Sequence, residues 1–294
     1  ANLNNAAYQA MAGRKGVVAL YNYQTGEVLC MLSTPSFDPA DDAEVAKVAS
    51  GDSNYDGAYL NRFLSGTYTP GSTFKLVTSA AALETLHNED SFSYTCKGSL
   101  TLNGEKITCP SVHGTQDLAT ALANSCNGAF ATLATQVGGK TLEKYAKEAG
   151  LTSKVNVNGL NSAAGNFTAG TSDNDVGWSG VGQYKDLVNP CAELTLMGCI
   201  AQGGSAATPR LLKSVTSSKG LPVAHVTTET SKIGWKADTC DKIRTLMHNN
   251  VTSNYSKNLD FGGLNVCAKS GTAEVGTSKP HAWFVGFVED SAYP

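Results

Sequence analysis

Three short runs carry residue types suited to acyl transfer on a serine. The first is Pro70-Gly71-Ser72-Thr73-Phe74-Lys75, which holds the only Ser-x-x-Lys in the chain. A serine hydroxyl is a weak nucleophile until a neighbouring base takes its proton. Lysine can be that base once desolvation or nearby positive charge lowers its pKa. A spacing of three is nearly one helical turn and puts Lys75 on the face of Ser72. A helix N-terminus beside the serine adds partial positive charge and free N–H groups. Taken alone the motif is weak, because a Ser N-capping a helix with a solvated lysine has the same spelling.

The second run is Ser125-Cys126-Asn127. Ser-x-Asn recurs at Ser172-Asp173-Asn174 and Ser256-Lys257-Asn258, so position has to separate them. Ser125 falls between two expected helices, a rigid mount for reactive side chains. Ser172 falls in a polar stretch where Ser-Asp-Asn is ordinary turn chemistry. The third run is Lys269-Ser270-Gly271-Thr272, expected at the end of a strand. Its lysine and hydroxyls suit a carboxylate, and Gly271 would let a substrate backbone lie close. Alone, it reads rather as an ordinary strand end with a solvated lysine.

The elements that must position these residues follow from periodicity. Apolar runs at 16–22 and 27–33 flank Tyr23-Gln24-Thr25-Gly26 and predict a β-hairpin. Phe74, Val77, Ala81 and Leu86 are spaced for a helix over 72–86. Further helices are expected at 118–123, 129–137, 141–149, 191–202 and 238–249, with Asn189-Pro190 opening the fourth. Residues 152–189 are rich in Gly, Asn, Ser and Thr and read as one long loop. Strands are expected at 264–268 and 282–289. Strands at both ends with helices between them predict an α+β protein whose terminal strands meet in one sheet.

Composition narrows the function classes. The chain has 294 residues, 41% hydrophobic and 16% charged, which is enough for a substantial core. Lys and Arg number 22 against 25 acidic residues, leaving no electrostatic footprint for nucleic acid. No apolar run is long enough to span a membrane, and no signal peptide is visible. Of eight cysteines, Cys96 and Cys109 flank a strand–turn–strand pattern centred on Asn103-Gly104, which would bring them within disulfide reach. Adding His113 gives three possible zinc ligands without a Cys-x-x-Cys or a fourth donor. The other cysteines, Cys126 included, read as small buried apolar residues. No metal site and no cofactor are therefore expected. The histidines show no metal spacing, and the P-loop-like Gly263–Ser270 run lacks its second glycine.

The order Ser-x-x-Lys, Ser-x-Asn, Lys-Ser-Gly resembles that of the penicillin-recognising acyl-serine enzymes. The flanking text is similar to class B penicillin-binding protein transpeptidase domains. It includes Gly16–Leu20 and Thr25–Leu29, Pro35–Pro39, Asn61-Arg62, Tyr68–Lys75, His113-Gly114, Ala121–Asn127, Lys269–Glu274 and Ala282–Phe287. The resemblance runs over most of the chain and is weakest between 205 and 260. It implies one transpeptidase domain over 1–294, with sheet parts at 1–40 and 260–294 and a helical subdomain at about 72–200. The implied fold is α+β, β-lactamase/transpeptidase-like, with a central antiparallel sheet flanked by helices. That fold includes one more strand and a C-terminal helix after Ala282–Phe287, so the natural product is expected to be longer.

The implied activity is D,D-transpeptidation of peptidoglycan stem peptides ending in D-Ala-D-Ala, with β-lactams as covalent inhibitors. Ser72 would be the nucleophile, Lys75 its base, and Ser125 the proton donor to departing D-Ala, between Lys75 and Lys269. Asn127 would hold the donor's amide. Ser270 and Thr272, with Lys269, would bind the terminal carboxylate beside Gly271. The N–H groups of Ser72 and Thr272 would form the oxyanion hole. The implied location is the outer face of a bacterial cytoplasmic membrane, anchored by an N-terminal segment, with other cell-wall synthesis proteins as partners. A β-lactam sensor domain, a D,D-carboxypeptidase or a β-lactamase are the alternatives. The absence of a Glu-x-x-Leu-Asn disfavours rapid hydrolysis of the acyl-enzyme.

Overall fold

The computed structural model describes residues 2–87, 91–224, 226–276 and 278–294. A short helix α1 (Asn2–Met11) precedes the expected hairpin, β1 (Gly16–Tyr21) and β2 (Val28–Thr34), in antiparallel register with Val18 opposite Leu32. The polar stretch that follows folds into α2 (Asp42–Ala49) and α3 (Arg62–Ser65). Their N-caps Asp41 and Asn61 each accept two backbone N–H bonds.

The expected helix over 72–86 is split. Gly71–Phe74 is a 3-10 turn and α4 runs Lys75–Thr85. Every residue of α4 from Lys75 to Leu83 is buried. A helix surrounded on all sides cannot carry a conventional polar face. Its small residues Ser79, Ala80, Ala81 and Ala82 instead let neighbouring helices close in.

Those neighbours are α5 (Leu118–Ala123), α6 (Asn127–Val137), α7 (Gly139–Glu148), α8 (Asp173–Gly180), α9 (Pro190–Ala201) and α10 (Ala237–Ser253). Leu76 and Val77 share one core with Leu122, Phe130, Leu133, Leu142, Leu196, Ile243 and Met247. Between α4 and α5 lie β3 (Tyr94–Cys96), β4 (Ser99–Leu102), β5 (Glu105–Thr108) and β6 (Gly114–Gln116). β3 pairs with β6 and β4 with β5. Asn103 and Gly104 both have positive φ, 49° and 83°, the two-residue turn that Asn-Gly favours. Three small ribbons of the described residues complete the middle of the chain, among them β7 (Asn156–Val157) with β8 (Leu160–Asn161), and β9 (Ser205–Ala207) with β12 (Thr230–Lys232). Between the latter two, β10 (Val215–Thr216) pairs with β11 (Pro222–Ala224).

Several expectations require correction. Residues 152–189 are not one loop, because α8 forms within them. Its sequence, Asp-Asn-Asp-Val-Gly-Trp-Ser-Gly, has poor helix propensity. Packing overrides propensity here: a Cβ at Gly180 would collide with Ala134 of α6, and one at Gly177 would lie 2.8 Å from Ile107. Cys96 and Cys109 are both free thiols rather than a disulfide.

The last strands, β13 (Val266–Val275) and β14 (Ser278–Val288), are longer than expected. They place Lys269–Thr272 inside a strand, opposite Val285, Phe284, Trp283 and Ala282. The strand expected to end here continues through Ser270 and Gly271 because both pair with β14. β13–β14 and β1–β2 stand as two antiparallel hairpins, and no described strand pairs with both. The Tyr23 hydroxyl links them by donating to the Val288 carbonyl at 3.0 Å. No described helix is long and apolar enough to cross a membrane.

Candidate active site

The three runs converge at the N-terminal end of α4. Ser72 lies in the 3-10 turn, and its hydroxyl oxygen is 3.0 Å from Lys75 Nζ. Two tight approaches hold that turn. Gly71 has φ 56°, a left-handed conformation that favours glycine, and an added Cβ would strike the Thr272 carbonyl of β13. Its N–H donates to the Gly182 carbonyl, just past α8, at 2.9 Å. The turn is thus wedged between the Lys-Ser-Gly strand and the end of α8. Gly271 presses from the strand side, where a Cβ would lie 2.7 Å from the Pro70 carbonyl. The missing side chain of Gly271 is what lets the Ser72 turn approach the strand this closely. Trp283 of β14 donates its indole N–H to the Thr69 carbonyl at 3.0 Å and ties the same turn to the second strand.

Ser125 sits between α5 and α6 with φ 51°, an uncommon conformation for a residue with a side chain. Hydrogen bonds from Ser125 N–H to Leu122 O at 3.0 Å and from Cys126 N–H to Ala121 O at 2.9 Å enforce it. As a result both the carbonyl and the hydroxyl of Ser125 face Lys75 Nζ, at 2.6 Å and 3.1 Å. Asn127, the first residue of α6, accepts from Lys75 Nζ through Oδ1 at 2.8 Å and donates from Nδ2 to the Thr108 carbonyl at 2.7 Å. From β13, Lys269 Nζ donates to Ser125 Oγ at 3.1 Å and to the Ser270 carbonyl at 2.9 Å. Ser72, Lys75, Ser125, Asn127 and Lys269 therefore form one continuous hydrogen-bonded network.

Both lysines are buried, at 0% and 1% exposure. Burial pushes Lys75 well below the ordinary lysine pKa, and the adjacent Lys269 lowers it further. Burial alone brings Lys269 down to about 7. The Phe130 ring, centred 5.6 Å from Lys75 Nζ, adds to its apolar surroundings. A neutral lysine has two N–H donors and one lone pair. Two neighbours, the Ser125 carbonyl and Asn127 Oδ1, can only accept and engage both donors, which leaves the lone pair for a hydroxyl. Ser72 Oγ is placed to supply it.

Ser270 and Thr272 follow on β13. The Ser270 hydroxyl is 2.7 Å from the Tyr255 hydroxyl, which also accepts the Ser270 N–H at 2.7 Å. Thr272 is exposed, and its carbonyl accepts from Gln183 Nε2 at 3.2 Å. Sequence reasoning missed Tyr255, Gln183 and Asn250, whose Nδ2 donates to the Ala268 carbonyl at 2.9 Å inside the core. None of them lies in a motif, and only the folded chain brings them to the strand. It also missed Cys126, whose sulfur is 3.8 Å from that of Cys109 and supplies the fourth donor absent from the Cys96, Cys109 and His113 set.

This geometry is that of an acyl-serine enzyme, and comparison with known proteins specifies the family. Residues 16–293 match the penicillin binding protein transpeptidase domain, and the chain belongs to that family. It is 30% identical over 299 residues to the peptidoglycan D,D-transpeptidase PbpA of Mycobacterium tuberculosis, covering 95% of this chain and 60% of that protein. Stage V sporulation protein D of Bacillus subtilis is 30% identical over 277 residues, covering 88% of this chain and 40% of that protein. The imipenem acyl-enzyme complex of M. tuberculosis penicillin-binding protein A superposes with a TM-score of 0.86 at 28% identity. The match covers 97% of this chain and 69% of that one. The chain thus spans about three fifths of the length of PbpA.

Proposed function

We propose that the chain is a D,D-transpeptidase domain that cross-links peptidoglycan stem peptides through an acyl-enzyme on Ser72 and is acylated by β-lactams. The observation that carries this reading is the buried Lys75 amine 3.0 Å from Ser72 Oγ, with its donors engaged by Ser125 and Asn127. As Ser72 Oγ attacks the carbonyl carbon of the penultimate D-Ala, its proton passes to the Lys75 lone pair. The N–H groups of Ser72 and Thr272 hold the resulting oxyanion, a donor pair of a kind worth roughly 3 kcal/mol per donor. Collapse breaks the C–N bond to the terminal D-Ala. Its nitrogen takes a proton from Ser125 Oγ, which is resupplied through Lys75 or Lys269.

An amine of a neighbouring stem peptide then attacks the ester and releases Ser72. Lys269, Ser270 and Thr272 bind the donor's carboxylate, and Asn127 orients its amide with the hydrogen-bonding capacity left beyond Lys75 and Thr108. In a β-lactam the cleaved nitrogen remains tethered, so the leaving group stays in the acceptor's place. Residues 1–294 act as one such domain at the outer face of a bacterial cytoplasmic membrane, tethered through an N-terminal segment and working with other cell-wall proteins. Family membership supports this placement.

The test is intact mass after incubation with a penicillin, on wild type and Ser72→Ala, followed by addition of a D-amino acid acceptor to thioester-acylated enzyme. A single long-lived adduct lost in Ser72→Ala, with aminolysis product from the thioester, is expected. Equal labelling of both proteins would contradict the reading. Rapid clearance of the adduct would indicate a β-lactamase, and a stable adduct without any aminolysis a sensor.

A further inference from the structure

Immediately beside the active-site turn, four metal-ligating side chains from separate segments meet. Cys96 ends β3, Cys109 follows β5, His113 precedes β6 and Cys126 is the N-cap of α6. One ligand atom from each lies within 4.8 Å of all the others. The Cys109 and Cys126 sulfurs are 3.8 Å apart. That distance is far longer than the roughly 2.05 Å of a disulfide. It equals the edge, about 3.8 Å, of a tetrahedron with zinc–sulfur bonds of about 2.3 Å. His113 Nδ1 is buried with no hydrogen-bond partner, a state rare for a buried nitrogen unless something else is to bind there.

The surroundings suit bound thiolates. Cys96 Sγ accepts the Gly98 N–H at 3.4 Å, Cys109 Sγ the Gly128 N–H at 3.3 Å and Cys126 Sγ the Ala129 N–H at 3.5 Å. Two of those donors belong to the first turn of α6, where the helix dipole favours negative charge. Backbone N–H bonds to ligating sulfurs are the usual outer shell of such sites.

We propose that Cys96, Cys109, His113 and Cys126 bind one Zn2+ as a closed structural site. Three soft sulfurs and one imidazole in tetrahedral proximity select zinc over the hard cations. Binding forms three Zn–S bonds and one Zn–N bond, and the thiol protons pass to solvent. With four protein ligands no position is open for water, so the ion does not take part in acyl transfer. It fixes Cys126, and hence the flanking Ser125 and Asn127, to the β3–β6 segment. Asn127 already reaches that segment through the Thr108 carbonyl, one residue before Cys109. This inference is independent of the transpeptidase reading.

The test is metal content of the full chain, purified under reducing conditions without added metal, by elemental analysis and native mass spectrometry. One zinc per chain is expected, replaceable by Co2+ with the thiolate charge-transfer and tetrahedral ligand-field bands of a sulfur-rich site. Chelation should lower Tm. Cys109→Ser and His113→Ala should each lower zinc retention at least about tenfold, in line with the loss of one of four ligands. Cys30→Ser and Glu289→Gln should leave it unchanged. A folded, fully reduced chain that takes up neither zinc nor Co2+ would overturn the proposal. So would zinc retained by both ligand variants but lost from Glu289→Gln, which would move it to the His248, Cys267 and Glu289 group. A Cys109–Cys126 disulfide in metal-free chain isolated without air would overturn it in favour of a redox pair.

Discussion

Ser125-Cys126-Asn127 and Ser172-Asp173-Asn174 have the same spelling at the ends and both stand at the start of a helix, yet their serines do different things. Ser172 is itself the N-cap of α8, with extended backbone (φ −86°, ψ 155°), and its hydroxyl accepts the Asp175 N–H at 3.1 Å. At the other site the cap falls one residue later, on Cys126, whose sulfur takes the Ala129 N–H. Ser125 is thereby released from capping and its φ of 51° turns hydroxyl and carbonyl onto Lys75. A one-residue shift of the cap separates a serine that closes a helix N-terminus from one whose hydroxyl faces two buried lysines. The asparagines diverge likewise: Asn127 bridges Lys75 and Thr108, while Asn174 is buried with Nδ2 unpartnered.

This contrast can be broken at several points. Lys75→Met removes the base and should slow β-lactam acylation by about 10⁴-fold, the upper range for a positioned proton acceptor. Stopped-flow kinetics or timed intact mass measures it, with circular dichroism confirming the fold. Ser125→Ala should cost about 10²-fold in the same assay, whereas Ser172→Ala should leave acylation unchanged. Equal losses in the two serine variants would erase the distinction. Ser172→Ala should instead lose about 1 kcal/mol of stability by denaturant titration, the ordinary consequence of removing an N-cap.

Charge sharpens the comparison further. Lys269 has a folded pKa of about 7, below its unfolded value of about 10.4. Between those values the unfolded chain holds a proton that the folded chain does not, so stability rises with pH across about 7 to 10. Below 7 the penalty of burying the ammonium is fully present. Lys269→Met should flatten that slope in denaturant midpoints, and it should shift the acylation pH profile upward, because Lys75 loses the charge that helps depress it. The smallest effect is expected from Tyr255→Phe. It leaves the Ser270 N–H without its partner and should weaken substrate KM more than kcat.

Much of the frame was legible in residue order. The Asn103-Gly104 turn, the Asn189 cap before Pro190 and the break between α5 and α6 all depend on neighbours a few residues apart, and each forms where local chemistry puts it. What was not legible depends on distant neighbours. α8 exists because Gly177 and Gly180 let it press on Ile107 and Ala134. Lys269–Thr272 is strand because β14 pairs with it. Cys126 reads as a small apolar residue until the fold carries Cys109 to its sulfur. The residues that converge beside α4 could be named from three motifs, but their supports, Tyr255, Gln183 and Asn250, could not.

The central claim is that burial and Lys269 keep Lys75 neutral, so that it accepts the Ser72 proton near physiological pH. The direct measurement is the pH dependence of the second-order acylation rate with a neutral penicillin ester, paired with Lys269→Met. The rate is expected to reach its alkaline plateau well below about 10.4, the ordinary lysine pKa, with the limb moving upward in the variant. A wild-type limb centred near 10, unmoved by Lys269→Met, would contradict it.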